Sequence, residues 1–168
     1  VRGPSGTVIV NAGTGRCAKH LSEIAVGGSL TVVLTHHFRD HTDGALRLHE
    51  AGVEILGPWW DQEYLIDPEQ HIRERQIWNS YDNRWDRFSP VRALPIADWL
   101  MDYEQREIAG LAWEVVPTPG ATNGASSYVV ELDGERLAFG GETICGTGRT
   151  GRLAPFQYNY NDLSGAVN

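Results

Sequence analysis

The chain has 168 residues and a formal net charge of −8 at pH 7. This length gives one compact domain a sizeable core and leaves little room for a second, so we expect a single domain over 1–168. Nucleic acids and acidic membrane surfaces are bound mainly through Lys and Arg, so the acidic balance argues against both and leaves small molecules as the expected partners.

The first third of the chain alternates predicted strands and helices. Apolar runs of strand length occupy 7–10, 30–34 and 53–56. Between them, apolar residues at helical spacing predict helices over 18–25 and 45–51, and glycine closes each one. An alternating order of this kind favours parallel pairing of the strands, with the helices packed on the faces of the sheet.

The middle segment, 58–95, is rich in Trp, Tyr, Arg and Asp, has weak periodicity and contains one predicted helix, 68–78. We interpret it as an irregular insertion or lid. Its aromatic residues either pack the insertion onto the domain, which is the more common role, or line an apolar substrate pocket. They are Trp59, Trp60, Tyr64, Trp78, Tyr81, Trp85 and Phe88.

The last third changes to antiparallel hairpins. The predicted strands span 104–108, 111–116, 126–132 and 136–139. The first two are joined by Ala109-Gly110. The last two are joined by Asp133-Gly134, which favours a tight two-residue turn because both residues accept positive φ angles. This part of the chain is therefore expected to form hairpins rather than further strand-helix units.

Cysteine spacing and hydropathy give an expectation for the cellular compartment of the protein. The two cysteines, Cys17 and Cys145, lack the short spacing of zinc knuckles and redox motifs. No stretch of about 18 apolar residues is present to span a membrane, and no charged-then-apolar leader opens the chain. We expect a reduced, cytoplasmic protein. The sequence runs almost directly into a strand and stops without a terminating signal, as a piece of a longer protein would.

Three histidines and an aspartate follow the second predicted strand, in the segment T-H-H-F-R-D-H over 35–41. A short loop leaving a strand can bring His36, Asp40 and His41 toward one point, and zinc takes nitrogen or oxygen donors at about 2 Å in a roughly tetrahedral array. Phe38, in the middle of the cluster, has no lone pair to offer a cation. The alternative to a metal site is a polar loop whose side chains only cap the following helix.

Four segments resemble the metallo-β-lactamase superfamily in their order and spacing. They are V-I-V-N-A-G over 8–13, T-H-H-F-R-D-H over 35–41 followed by Asp43-Gly44, T-P-G-A-T-N-G over 118–124 and A-F-G-G-E-T over 138–143. The resemblance covers most of the chain. It implies an α/β fold of four αββα layers, in which two mixed sheets meet face to face with helices outside, and truncation at both ends is left open. It also implies a metal site at the edge where the loops gather.

The family pattern is T-H-x-H-x-D-H, followed by P-G-H-T and then by G-D. By resemblance, His36, Asp40 and His41 match metal ligands, and Glu142 takes the place of the aspartate that bridges two ions. Asp40 would also orient or deprotonate the nucleophilic water. For Glu142, a surface carboxylate at a strand end is an equal alternative. Cys145 is either a further thiolate donor or, more commonly for such a residue, a small buried hydrophobe.

Two family histidines are replaced, by Phe38 and Ala121, and the aspartate that usually ends the first strand is replaced by Asn11. The first cation position then keeps only His36 and is expected to be empty. The second keeps three donors, which corresponds to one weakly held zinc, manganese or iron ion, or to none. A shift that turns His37 inward in place of Phe38 is less favoured, since adjacent residues on an extended segment point in opposite directions.

Two functions are compatible with this pattern. The first is a metal-dependent hydrolase acting on a small ester, lactone, amide or thioester, in which the cation lowers the pKa of bound water to near 7. The second is a pseudoenzyme of the same fold that holds a ligand or partner without turnover. Two missing histidines argue against activity of the two-metal type. Neither the substrate nor the oligomeric state has a signal in the sequence.

Overall fold

Two main sheets organise the molecule. The computed structural model describes residues 1–25, 27–74, 90, 92–145 and 149–150. Strands from the first part of the chain form one sheet, and strands from 105–139 form the other. This division matches the change from strand-helix units to hairpins that the sequence predicts.

Five strands form the first sheet, in the order β1-β2-β3-β4-β5. They are β1 (Arg2–Gly3), β2 (Gly6–Val10), β3 (Ser29–Val33), β4 (Glu54–Pro58) and β5 (Asp98–Leu100). β1 is antiparallel to β2, and all other neighbours are parallel, as predicted for β2, β3 and β4. Since parallel strands end at the same edge of a sheet, the residues that follow these three strands lie close together.

Short helices connect the strands of the first sheet. They are α1 (Leu21–Ile24), α2 (Arg39–Thr42), α3 (Ala45–Glu50), α4 (Gln62–Ile66) and α5 (Pro68–Glu74). The helix predicted over 45–51 is confirmed. The helix predicted over 18–25 is instead a 3₁₀ helix, Arg16–His20, followed by α1, because the Ala18 amide already bonds to the Gly15 carbonyl three residues before it. In the described part of the chain, no helix has both the length and the apolar character needed to cross a membrane.

The first part of the aromatic segment, 58–74, is mostly helical. It begins with a 3₁₀ turn, Trp59–Asp61, and continues through α4 into α5, which starts at Pro68 as predicted. Tyr64 stacks on His37, whereas Trp60 is 61% exposed. Trp78, Tyr81, Trp85 and Phe88 lie outside the described residues. The interpretation of 58–95 as a lid therefore stays a prediction.

Four strands form the second sheet, an antiparallel meander in the order β6-β7-β8-β9. They are β6 (Gln105–Ile108), β7 (Leu111–Pro117), β8 (Ser126–Leu132) and β9 (Glu135–Phe139). The predicted turn is confirmed, since Asp133 and Gly134 have φ angles of 54° and 81°. A short antiparallel pair, β10 (Ile144–Cys145) with β11 (Arg149–Thr150), follows.

The two faces of the first sheet bury two cores. The core between the sheets contains Val8, Val33, Leu56 and Leu100 from the first sheet and Trp113, Val115, Tyr128 and Val130 from the second. The core between the first sheet and the helices contains Val32, Ile55, Ala45, Leu48 and Leu65. Full burial of one such large side chain contributes about 1.5 to 3 kcal/mol. On the outward face of the second sheet, Glu131, Arg136 and Ala138 are exposed, so no described helix covers that part of the sandwich.

Candidate metal site

The site lies at the carboxyl edge of the first sheet, where the loops after β2, β3 and β4 meet. The turn after β2 is bonded to the histidine loop, since the amides of Ala12 and Gly13 both donate to the carbonyl of His41, at 2.7 and 3.1 Å. Gly44 approaches Gly15 so closely that a Cβ on Gly44 would lie 2.0 Å from the Gly15 nitrogen. These backbone contacts fix the path of the loop that carries the histidines.

Three of the predicted ligands come together at this edge. One donor atom from each of His36, His41 and Glu142 lies within 4.8 Å of the other two. The imidazole centroids of the two histidines are 4.4 Å apart. His36 is completely buried, whereas His41 and Glu142 are partly exposed, so one side of the set is open to solvent. Two imidazoles and one carboxylate are a combination that zinc accepts.

Glu142 reaches the histidines because the residue before it is glycine. Gly141 has a φ of 56°, and a Cβ there would lie 2.7 Å from the hydroxyl oxygen of Thr35 and 3.3 Å from Nδ1 of His36. Any other residue would therefore be strained and would push the loop away. The structure places Glu142 beside His36 and His41 rather than as an isolated surface carboxylate at a strand end.

His36 has the protonation state that a metal ligand requires. Its Nδ1 lies 2.8 Å from the hydroxyl oxygen of Thr35, and its buried Nε2 has no hydrogen-bond partner among the described residues. Burial, and to a lesser extent the neighbouring His41, lower the pKa of His36 to about 3. The imidazole is therefore neutral at physiological pH, which is the form that binds metal ions.

Asp40 lies outside the set of converging donors. Its side chain is 65% exposed, and its Oδ1 is 3.1 Å from Nδ1 of His41, within ion-pair distance but not aligned for a hydrogen bond. Neither α2 nor α3 has a side-chain cap, so the alternative that this loop only caps the following helix is wrong. Asp40 instead sits beside one of the three donors, at the exposed rim of the site.

Phe38 and Ala121, where the resemblance leads one to expect histidines, are both buried. The Phe38 ring is 2% exposed and meets the His36 ring edge to face, with centroids 5.0 Å apart. Ala121 is 5% exposed. The alternative in which His37 takes the place of Phe38 is wrong, because His37 stacks on Tyr64 with centroids 4.2 Å apart and bonds to a different partner.

That partner is Asp61, a functional candidate that the sequence analysis missed. Its buried carboxylate accepts from the amide and Nδ1 of His37, at 2.8 and 3.0 Å, from the Thr122 hydroxyl at 2.9 Å and from the Gly124 amide at 3.2 Å. Burial alone would raise the pKa of Asp61, but the charge of His37 and the hydrogen bonds from His37 and Thr122 hold it below its usual range. Asp61 thereby joins three loops of the site.

The sequence could have indicated Asp61 only if the order of the strands in the sheet had been known. Asp61 follows β4, the histidine loop follows β3, and Asn11 follows β2, so three adjacent parallel strands deliver polar residues to one edge. Asn11 has a φ of 63° and its Oδ1 accepts from both the amide and the hydroxyl of Thr35, at 2.9 and 3.1 Å. Asn is one of the few residues that tolerates this backbone conformation.

Comparison with solved structures shows that the chain has the metallo-β-lactamase fold. FEZ-1 metallo-β-lactamase from Legionella gormanii matches with a TM-score of 0.67 at 15% identity, over 98% of this chain and 64% of that one. A Cronobacter sakazakii metallo-β-lactamase with an H-A-R-L-D-Q motif gives 0.68 at 18% identity, over 99% and 63%. MIM-1 from Novosphingobium pentaromativorans gives 0.68 at 16% identity, over 99% and 62%. The fold expected from the sequence resemblance is confirmed.

A curated relative is also similar in sequence. A hydroxyacylglutathione hydrolase from Pseudomonas entomophila (strain L48) is 28% identical over 133 residues. The match covers 77% of this chain and 40% of that protein, so the chain spans less than half the length of this relative. No family model matches the sequence.

Proposed function

We propose that the chain holds a single divalent cation through His36, His41 and Glu142 and contributes to the hydrolysis of a small ester, lactone, amide or thioester. The observation that carries the proposal is the convergence of three donor atoms within 4.8 Å around a buried, neutral imidazole. The Nε2 of His36 has no hydrogen-bond partner among the described residues, and a buried polar atom of this kind is costly unless something binds it.

The donor set fits zinc. Two histidines and one glutamate are the protein ligands of several catalytic zinc sites, which keep a further position open for water or substrate. Manganese and iron accept the same ligand types. Such an ion, when bound, polarises a carbonyl group and makes water acidic enough to ionise near neutral pH. The open side of the set, at His41 and Glu142, is where a substrate would approach.

Asp40 is the residue that we assign to proton transfer. It is exposed at the rim, and its carboxylate lies 3.1 Å from Nδ1 of His41. From this position its negative charge attracts the His41 imidazole, although the two groups are not aligned for a hydrogen bond. Its second oxygen is available to accept a proton from a nucleophilic water or to return it to a leaving group.

A second cation has no comparable support. Phe38 and Ala121 supply no lone pairs, and the Phe38 ring packs directly against His36. The predicted ligand set of Asp40, His41 and Glu142 is replaced in this proposal by one that includes His36, because His36 and not Asp40 lies among the converging donors. We therefore expect no more than one ion per chain.

The alternative function is a binding module of the same fold that has lost turnover. Phe38 supports it, since a buried phenyl ring stands where the family pattern has a histidine. The two proposals differ in a measurable way. A hydrolase needs the bound ion for activity, whereas a binding module would hold a small molecule with unchanged affinity after the ion is removed.

Metal analysis of the purified protein tests the proposal. We expect up to one equivalent of zinc, manganese or iron, and saturation at one equivalent when zinc is titrated into metal-free protein. His36→Ala should abolish this binding, and His49→Ala, an exposed imidazole on α3, is the matched control that should not change it. Two equivalents in the unaltered protein, or unchanged binding in His36→Ala, would contradict the proposed ligand set.

A substrate panel separates hydrolase from binding module. The panel should include a lactone, a simple ester and, because the curated relative is named a hydroxyacylglutathione hydrolase, a hydroxyacyl-glutathione thioester. Turnover by the zinc-loaded protein that disappears in Asp40→Asn supports the hydrolase. A zinc-loaded protein that cleaves no member of the panel, and binds one of them equally well without zinc, supports the binding module.

A further inference from the structure

Two residues outside the proposed donor set, Thr35 and Asn11, form a hydrogen-bonded chain that ends at His36. Oδ1 of Asn11 lies 2.9 Å from the Thr35 amide nitrogen and 3.1 Å from the Thr35 hydroxyl oxygen. The same hydroxyl oxygen lies 2.8 Å from Nδ1 of His36. Thr35 and His36 are buried, so water does not compete freely for these atoms.

The backbone fixes the direction of the first bond. The Thr35 amide can only donate, so the side-chain atom of Asn11 that faces it must be the carbonyl oxygen and not the amide nitrogen. That oxygen carries no hydrogen. The Thr35 hydroxyl, 3.1 Å from it, must therefore donate its single proton to Asn11.

The second bond then has one possible direction. Because the hydroxyl proton of Thr35 is committed to Asn11, the Thr35 oxygen can only accept from His36. Nδ1 of His36 must carry a hydrogen to make this contact at 2.8 Å. In a neutral imidazole one nitrogen is protonated and the other is not, so Nε2 of His36 is left with a free lone pair.

We infer that Asn11 and Thr35 are positioning residues that hold His36 in the Nδ1–H tautomer and thereby present the Nε2 lone pair to the cation. The significance for metal binding rests on the proposed function. The tautomer itself does not, because it follows from three hydrogen bonds between residues of the metal-free chain.

Two pairs of variants isolate the effect. Thr35→Val removes the hydroxyl at nearly constant shape, and Thr35→Ser keeps the hydroxyl. Asn11→Gly removes the acceptor while tolerating the φ of 63°, and Asn11→Asp keeps an acceptor at the same position. Thermal unfolding of each metal-free variant shows which of them are folded. If Thr35→Val does not fold, the two Asn11 variants provide the test instead.

The first readout is the tautomer. Long-range ¹H–¹⁵N correlation spectra of the metal-free, ¹⁵N-labelled protein distinguish a protonated from an unprotonated ring nitrogen. We expect Nδ1–H for His36 in the unaltered protein, in Thr35→Ser and in Asn11→Asp. We expect a shift toward Nε2–H in Thr35→Val and Asn11→Gly. An Nε2–H signal for His36 in the unaltered protein would overturn the inference.

The second readout is zinc affinity by competitive titration. Loss of a group that orients a metal-binding histidine weakens binding by about 10- to 100-fold. We expect this loss in Thr35→Val and Asn11→Gly, with less than about a 3-fold change in the two conservative variants. Unchanged affinity in both disruptive variants, despite the tautomer shift, would overturn the role in metal binding. If the tautomers are as expected and the unaltered protein binds no zinc, the proposed function fails while the tautomer assignment stands.

Discussion

Asp61 and His37 are joined twice, since the carboxylate of Asp61 accepts from the backbone amide of His37 at 2.8 Å and from its Nδ1 at 3.0 Å. Two donors from one residue fix both the backbone and the ring of His37. Asp61 also accepts from Thr122 and Gly124, so it connects the histidine loop to the loop that carries Ala121. Asp61 thus holds in place the residue that follows His36 in the chain.

The first prediction concerns Asp61→Asn. Each carboxylate oxygen of Asp61 accepts from a backbone amide: Oδ2 accepts from His37 and Oδ1 accepts from Gly124. An asparagine side chain has only one oxygen, so in either orientation its NH₂ group would face one of these two N–H donors. We expect a loss of about 3 kcal/mol in the free energy of unfolding, measured by urea denaturation of the metal-free protein. Asp43→Asn, at an exposed position, is the control, and equal stability of the two variants would contradict the role of Asp61.

The second prediction concerns pH. The pKa of Asp61 is lower in the folded state than its ordinary value of 3.8, so the unfolded chain binds more protons between the two values. The stability that Asp61 contributes is therefore complete above about pH 5 and is lost as the pH falls below about 4. We expect the difference in unfolding free energy between the unaltered protein and Asp61→Asn to shrink over that range. If this difference in unfolding free energy stayed constant down to the lowest pH at which the protein is folded, Asp61 would not be held as a carboxylate.

The third prediction concerns repair of the site by Phe38→His with Ala121→His. Both positions are buried, and the Phe38 ring contacts His36. Two added imidazoles should raise zinc affinity by at least about 10-fold and move the stoichiometry from one ion toward two. Phe38→Leu with Ala121→Leu, which adds side-chain volume without donors, is the control. A folded double-histidine variant with unchanged zinc binding would show that these positions do not face the cation.

The fourth prediction compares two glycines with positive φ angles, Gly141 at 56° and Gly134 at 81°. Alanine at either position is strained by about 1 kcal/mol. Only at Gly141 does the added Cβ also meet other atoms, with the Thr35 hydroxyl oxygen 2.7 Å away. We expect both variants to lose stability and only Gly141→Ala to lose zinc affinity, because it displaces Glu142. Equal zinc affinity in both would place Glu142 outside the ligand set.

The strands β2 to β4 and β6 to β9 were predictable because each has its own local pattern, whereas β1 and β5 were not predicted. Gly6–Val10 and Ser126–Leu132 are short apolar or alternating runs bounded by glycine, so their position needs no knowledge of the rest of the molecule. The helix predicted over 18–25 was less accurate, since its form depends on the turn at Gly15, which is held against Gly44 from a distant part of the chain.

The ligand set was only partly predictable for a related reason. Spacing and resemblance pointed to His36, His41 and Glu142, which converge, but they also included Asp40, whose side chain turns toward solvent. The direction of a side chain at the first turn of a helix is decided by packing, which spacing does not report. Asp61 was missed because the four groups that bond to it belong to three residues, which lie 24 to 63 positions away in the sequence.

The contact between Gly15 and Gly44 has a consequence for how this fold diversifies. The two main chains touch without any side chain between them, and the Gly44 amide donates to the Gly13 carbonyl at 2.7 Å. The shape of the loops is thus held by backbone hydrogen bonds and by glycine at both positions. Reactive side chains at the sheet edge can consequently be exchanged without changing this backbone contact, as long as both glycines are kept.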